Sequence, residues 1–177
     1  LKKTFDMKKI ALSLLLIVAA VLGASAQKFA LVDMEYILKN VPAYEMANEQ
    51  LNQLSQRWQK EVEALSKEAD AMYKQYLSDK VFLTEEQVKK REAEIVAKEQ
   101  EATELRYKYF GPEGELYKKR QTLMKPIQDD VYNAVKKLSE ERGYQTIFDR
   151  ASSANIIYAS PRIDVSNEVL SKLGYSN

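Results

Sequence analysis

Apolar positions recur every third or fourth residue from Tyr44 to Arg142, and from Ala43 to Tyr109 neither Gly nor Pro interrupts them. On the outgoing side the stripe is Tyr44, Ala47, Leu51, Leu54, Trp58, Val62, Leu65, Ala69, Met72 and Tyr76, with one four-four stutter at Leu54, Trp58 and Val62. The returning side reads Val88, Ile95, Ala102, Leu105 and Tyr109, breaks, and resumes at Leu116, Leu123, Ile127, Val131, Ala134 and Leu138. This spacing predicts two amphipathic helices folded back on each other, a long antiparallel hairpin over residues 44–142. Thr84 followed by Gln87 is a capping box for the second helix, with Leu83 and Val88 placed as its hydrophobic staple, so the tip falls at 78–83. The first arm, Tyr44 to Leu77, would be roughly 50 Å long at the usual rise of about 1.5 Å per residue. Packed on one side only, such a projection should flex.

The flanks read differently. Lys28 to Val32 is an apolar strand expected to be buried on both sides, Asp33 caps a short helix through Asn40, and Pro42 suits the first turn of the long arm. Gly143 stands where a helix end favours a left-handed residue. Strands are expected over Tyr144–Asp149 and Asn155–Ser160, and a last helix over Val165–Leu173 between Asp164 and Gly174. The fold class is therefore α+β, a coiled-coil tentacle (44–142) on a small β body made from residues 27–43 and 143–177. Three short strands without a polar face do not make a stable sheet alone. Their expected resolution is oligomerisation through Phe29, Leu31, Ile147, Ile156, Ile157 and Tyr158.

Composition narrows the chemistry. The chain has no Cys and no His, which removes thiol nucleophiles, His bases and conventional zinc sites. Asp129-Asp130 and Glu140-Glu141 are adjacent on a helix, so their side chains diverge by about 100° and make no catalytic or metal pair. Gly111 and Gly114 match no nucleotide-binding fingerprint. No enzyme activity and no cofactor are expected. Met7-Lys8-Lys9, the 13-residue apolar run Ile10–Leu22 and the small residues Ala24-Ser25-Ala26 read as residues upstream of a start followed by a secretory signal peptide within 1–26, cleaved before Gln27. The run is shorter than the roughly 20 residues that span a bilayer. Without the first 26 residues the charged count falls from 27 basic and 26 acidic to 23 and 25, no footprint for nucleic acid.

These segments together resemble the Skp/OmpH family of periplasmic chaperones. The residues that carry the likeness are Phe29-Ala30-Leu31-Val32-Asp33-Met34, Val41-Pro42, Arg142-Gly143-Tyr144 with Ile147-Phe148-Asp149, Ile156-Ile157-Tyr158 and Val169-Leu170-Ser171-Lys172-Leu173, in that order and spacing. The resemblance implies a periplasmic homotrimer in which three arms extend from a central body around a cavity and hold unfolded outer-membrane proteins without nucleotide. Two features depart from the family's pattern. The chain after the signal is slightly acidic where relatives are strongly basic, and Phe110-Gly111-Pro112-Glu113-Gly114 interrupts the returning arm.

On this reading Tyr73, Phe82, Tyr107, Phe110 and Tyr117, beside or off the main stripe, are the candidate client contacts, since an amphipathic aromatic gives apolar contact without demanding a sequence. Packing within the hairpin is the alternative for each, with Phe82 at the tip the better case for contact and Trp58, on the stripe, a core residue. Lys118, Lys119, Arg120 and Lys125 are either a patch for lipopolysaccharide or membrane phosphates or a solvated face. Gly111-Pro112 is either a hinge or a fixed kink, and Pro126 adds a smaller bend. The rival to an ATP-independent holdase is a structural coiled-coil adaptor of the cell envelope that docks one defined partner.

Overall fold

The computed structural model describes residues 28–153 and 155–175; the expected signal segment and the start at Gln27 lie outside them. The chain runs β1 (Phe29–Val32), α1 (Met34–Lys39), α2 (Pro42–Asp79), α3 (Glu85–Phe110), α4 (Glu115–Arg142), β2 (Thr146–Asp149) and α5 (Ser166–Lys172). Helix α2 has 38 residues, about 57 Å at the usual rise of about 1.5 Å. It is answered by two returning helices of 26 and 28 residues, α3 against its distal part and α4 against its base.

The ends of these helices follow from local chemistry. The Asp33 side chain accepts from the Tyr36 amide to cap α1, and Pro42 opens α2 where no amide is needed. A 3₁₀ turn, Lys80–Phe82, makes the tip, and Thr84 and Gln87 form the reciprocal capping box of α3. Gly143, in the left-handed region at φ 69°, ends α4, and the Tyr144 amide turns back onto the Ser139 carbonyl at 3.0 Å.

The seam is the one that the spacing marks. Ala47, Leu51, Val62, Ala69 and Tyr76 of α2 are buried, as are Ile95 and Ala102 of α3, with the other stripe positions half-buried. Below the break, Ile127, Val131, Ala134 and Leu138 of α4 leave the hairpin and join Ala30, Val32, Ile37, Val41, Ala47, Val165, Val169 and Leu170 in a single core. The base of the arm therefore lies inside the body rather than on it. This is how so few flanking residues, which would be too small a globule alone, obtain an interior.

Strands β1 and β2 pair in parallel, Phe29 opposite Thr146 and Val32 opposite Asp149. Ala30, Leu31 and Val32 are buried, whereas Phe29 is 53% exposed. The expected third strand over Asn155–Ser160 is not formed: among the described residues the sheet has two strands. The reason lies in the edges. The far side of β1 is taken by the segment before α5, where Leu31 bridges Asp164 and its carbonyl accepts the Val165 amide at 2.9 Å. Within one chain, no free edge meets Ile156–Tyr158. Nor does Asp164 cap α5 from the position next to the helix; it receives the Ser166 amide at 3.0 Å from one residue further out.

Candidate functional site

Two surfaces remain apolar after the chain has folded, one along the arm and one on the body. On the arm, Tyr73, Tyr107, Phe110 and Tyr117 are exposed, and Phe82 at the tip is 86% exposed beside Val81 at 81%. None of the five expected contact aromatics is consumed by the seam. Tyr107 lies 70% open on the face of α3 turned from α2, since it sits about 150° round from Ala102 and Tyr109 at about 100° per residue. Sequence reading missed Met46, Leu77, Val96 and Tyr132, which are exposed as well. Their signal was available, for each falls between stripe positions.

Trp58 behaves otherwise. Its indole stacks on Tyr109 at 4.8 Å between ring centroids with 7° between planes, and Phe110 meets Tyr109 edge-on at 6.3 Å. The Tyr109 hydroxyl donates to Glu61 at 2.5 Å, and that bond raises the phenol above its ordinary pKa. Polar contacts also cross the arms: Tyr76 donates to Glu92, and Lys98 reaches Glu68 at 3.4 Å while pairing with Glu101 of its own helix at 2.9 Å. A void of about 350 Å³ opens beside the aromatic group, lined by Gln59, Val62, Glu63, Arg106 and Phe110.

On the body, Phe29, Leu31, Phe148, Ile156, Ile157, Tyr158 and Ile163 line an open groove of about 970 Å³. Ile157 is fully exposed and Tyr158 nearly so. Of the residues expected to mediate oligomerisation, Leu31 is buried with only an edge in the groove, and Ile147 turns inward onto the core. Phe148, next in sequence, points the other way and lines the groove.

Behind the groove the two ends of the chain are stitched by charge. Arg150 contacts Asp33 at 3.0 Å and Asp164 at 3.6 Å, and Ser166 accepts from the Asp33 amide at 2.8 Å while donating to Asp164 at 2.6 Å. Every member has a partner, so this is a structural clasp. The basic residues past the break are partly engaged: Lys118 pairs with Glu115 and Lys125 with Asp129.

The family model described as outer membrane protein (OmpH-like) matches residues 28–173, the arm and both body segments together. The chain belongs to the OmpH-like family. A crystal structure of a candidate outer membrane chaperone (OmpH-like) from Caulobacter crescentus is similar over 85% of this chain and 86% of that one, with a TM-score of 0.67 at 12% identity. The two share the OmpH-like fold although few residues are the same. Among curated proteins none matches in sequence.

Proposed function

We propose that the protein is an ATP-independent holdase of the periplasm that binds unfolded outer-membrane proteins in a cavity enclosed by the arms of a homotrimer. The observation that carries this reading is the exposed aromatic set on a projecting hairpin of an OmpH-like chain: Tyr73, Phe82, Tyr107, Phe110 and Tyr117 keep apolar area open to solvent, Tyr73 and Phe110 while also touching Tyr76 and Tyr109. Contacts of this kind are individually weak and undemanding of sequence, so a client held by them stays mobile while its apolar segments are kept from each other. Binding the unfolded state needs no nucleotide, since the client leaves when a lower-energy destination competes. The body groove around Ile157 and Tyr158 supports the trimer, because an apolar groove of that size suits a second copy. Lys119 and Arg120, exposed past the break, give the arm a peripheral contact for membrane or lipopolysaccharide phosphates.

The test is dilution of several unrelated β-barrel membrane proteins from urea, with aggregation followed by light scattering. The protein should suppress aggregation of most of them at stoichiometric trimer, and replacing Tyr73, Phe82, Tyr107, Phe110 and Tyr117 together with Ser should remove most of the protection while leaving the helical signal unchanged. Protection of one client or none would make it an adaptor instead.

A further inference from the structure

The arm is severed on one side only. At Phe110–Gly114 the returning helix stops and restarts, while α2 runs past unbroken. The break is not a helix that has merely loosened. A Cβ at Gly111 would overlap the Tyr107 carbonyl oxygen, and one at Gly114 would stand 2.7 Å from the carbonyl oxygen of Tyr109. Both glycines have ordinary φ values, −63° and −68°, so they are needed for space and not for conformational freedom. At the same height α2, itself continuous, carries its four-four stutter, Leu54, Trp58 and Val62, the spacing at which the supercoil of a two-helix seam locally unwinds. The two irregularities are brought together by the stack of Trp58 on Tyr109.

We propose that this level is a latched joint: the distal arm (tip to Trp58 and Tyr109) tilts on the proximal arm through α2, and the Trp58–Tyr109 stack with its Tyr109–Glu61 hydrogen bond is the latch. The hinge expected at Gly111-Pro112 is then only one half of the device. It frees the returning strand of the arm; what holds the angle is on the other side. Three observations agree. Below the joint the arm is anchored in the body core through Ala47, Ile127, Val131 and Ala134, whereas above it the buried seam is Val62, Ala69, Tyr76, Ile95 and Ala102. The latch is the one aromatic stack across the arms among the described residues, and it sits at the height of the break. The void bounded by Val62, Arg106 and Phe110 leaves this level loosely packed next to the latch, on the far side of the Phe110 ring that meets Tyr109 edge-on. For a holdase, opening the joint would widen the space beneath the tips; that use rests on the functional reading above, but the joint itself does not.

The absence of Cys makes the test direct, because two introduced cysteines are the only labelling sites. Nitroxides at Gln100→Cys above the joint and Gln128→Cys below it, both exposed positions, report the angle by pulsed electron paramagnetic resonance, with labelled chains diluted into unlabelled protein to isolate the intrachain distance. Tyr109→Ala should widen the distance distribution at least twofold, with Tyr109→Phe, which keeps the stack and loses the bond to Glu61, between it and the parent. Leu65→Ala, a half-buried seam residue above the joint, should leave the width unchanged. The joint is refuted if Tyr109→Ala matches the parent, or if Leu65→Ala broadens the distribution equally, since general loosening of the seam would then be the cause. Should Tyr109→Ala fail to fold, Tyr109→Phe decides: broadening supports the latch and none overturns it. No client enters the measurement, so its outcome is independent of the aggregation assay.

Discussion

Asp149, the last residue of β2, ties the returning chain to the start of α1. Its carboxylate accepts from the Met34 amide at 3.1 Å and the Ala151 amide at 3.0 Å. Burial pushes its pKa up, but hydrogen bonds from the Ser152 side chain and from the Met34, Ala151 and Ser152 amides outweigh burial and hold it below the usual value. A depressed folded-state pKa contributes stability above the unfolded value of about 3.9 and loses it as pH falls through the folded value. Asp149→Asn should therefore be less stable than the parent at pH 7, and urea titrations should show the gap closing below about pH 4. Thr84 is a smaller case of the same kind, a single side chain completing a backbone that the turn leaves open. Thr84→Ala should cost about 1 kcal/mol locally, read as faster hydrogen exchange at the first amides of α3 with little change at Ile95.

Among the elements, those that depend on neighbours in sequence were legible and those that depend on partners in space were not. The hairpin, its tip, the capping box of Thr84 and Gln87 and the stop at Gly143 come from spacing and caps, which a helix satisfies internally. Ile156–Tyr158 reads as a strand, because three large apolar residues in a row have that signature, yet a strand exists only against an edge, and this chain brings none to it. The exposed aromatics were legible for the same reason as the stripe: what lies off it faces away. The Trp58–Tyr109 stack was hidden, since both residues fall on the stripe and nothing in sequence says that their rings meet. The break was visible as Gly and Pro, but its tightness was not. Gly111→Ala drives a methyl group into the Tyr107 carbonyl, a backbone atom with no rotamer to give, and should cost on the order of 1–3 kcal/mol in urea unfolding. A Pro112→Ala change, at an exposed position, should cost far less.

At the scale of the whole molecule the body groove makes a sharp prediction. Ile157 is fully exposed in the single chain, so a charge placed there disturbs nothing within it. Ile157→Asp should give a folded monomer with unaltered circular dichroism, whereas the parent should sediment as a trimer; a trimeric Ile157→Asp would remove this groove from the interface. The parallel pairing of Phe29 with Thr146 and Val32 with Asp149 carries a different consequence, one of timing. Strand β1 must wait for a partner that follows the whole hairpin in the chain. Long-range closure is slow unless the intervening chain is shortened first, and the hairpin, built from local contacts, supplies that shortening when it folds. Folding should therefore proceed from the tip towards the body. In stopped-flow kinetics Leu65→Ala in the seam should mainly slow folding, and Val169→Ala in the last helix should mainly speed unfolding. Until that helix arrives, Ala30, Leu31 and Val32 present an uncovered apolar edge, so a nascent copy of this protein passes through the same hazard of exposed strand that a holdase exists to guard against.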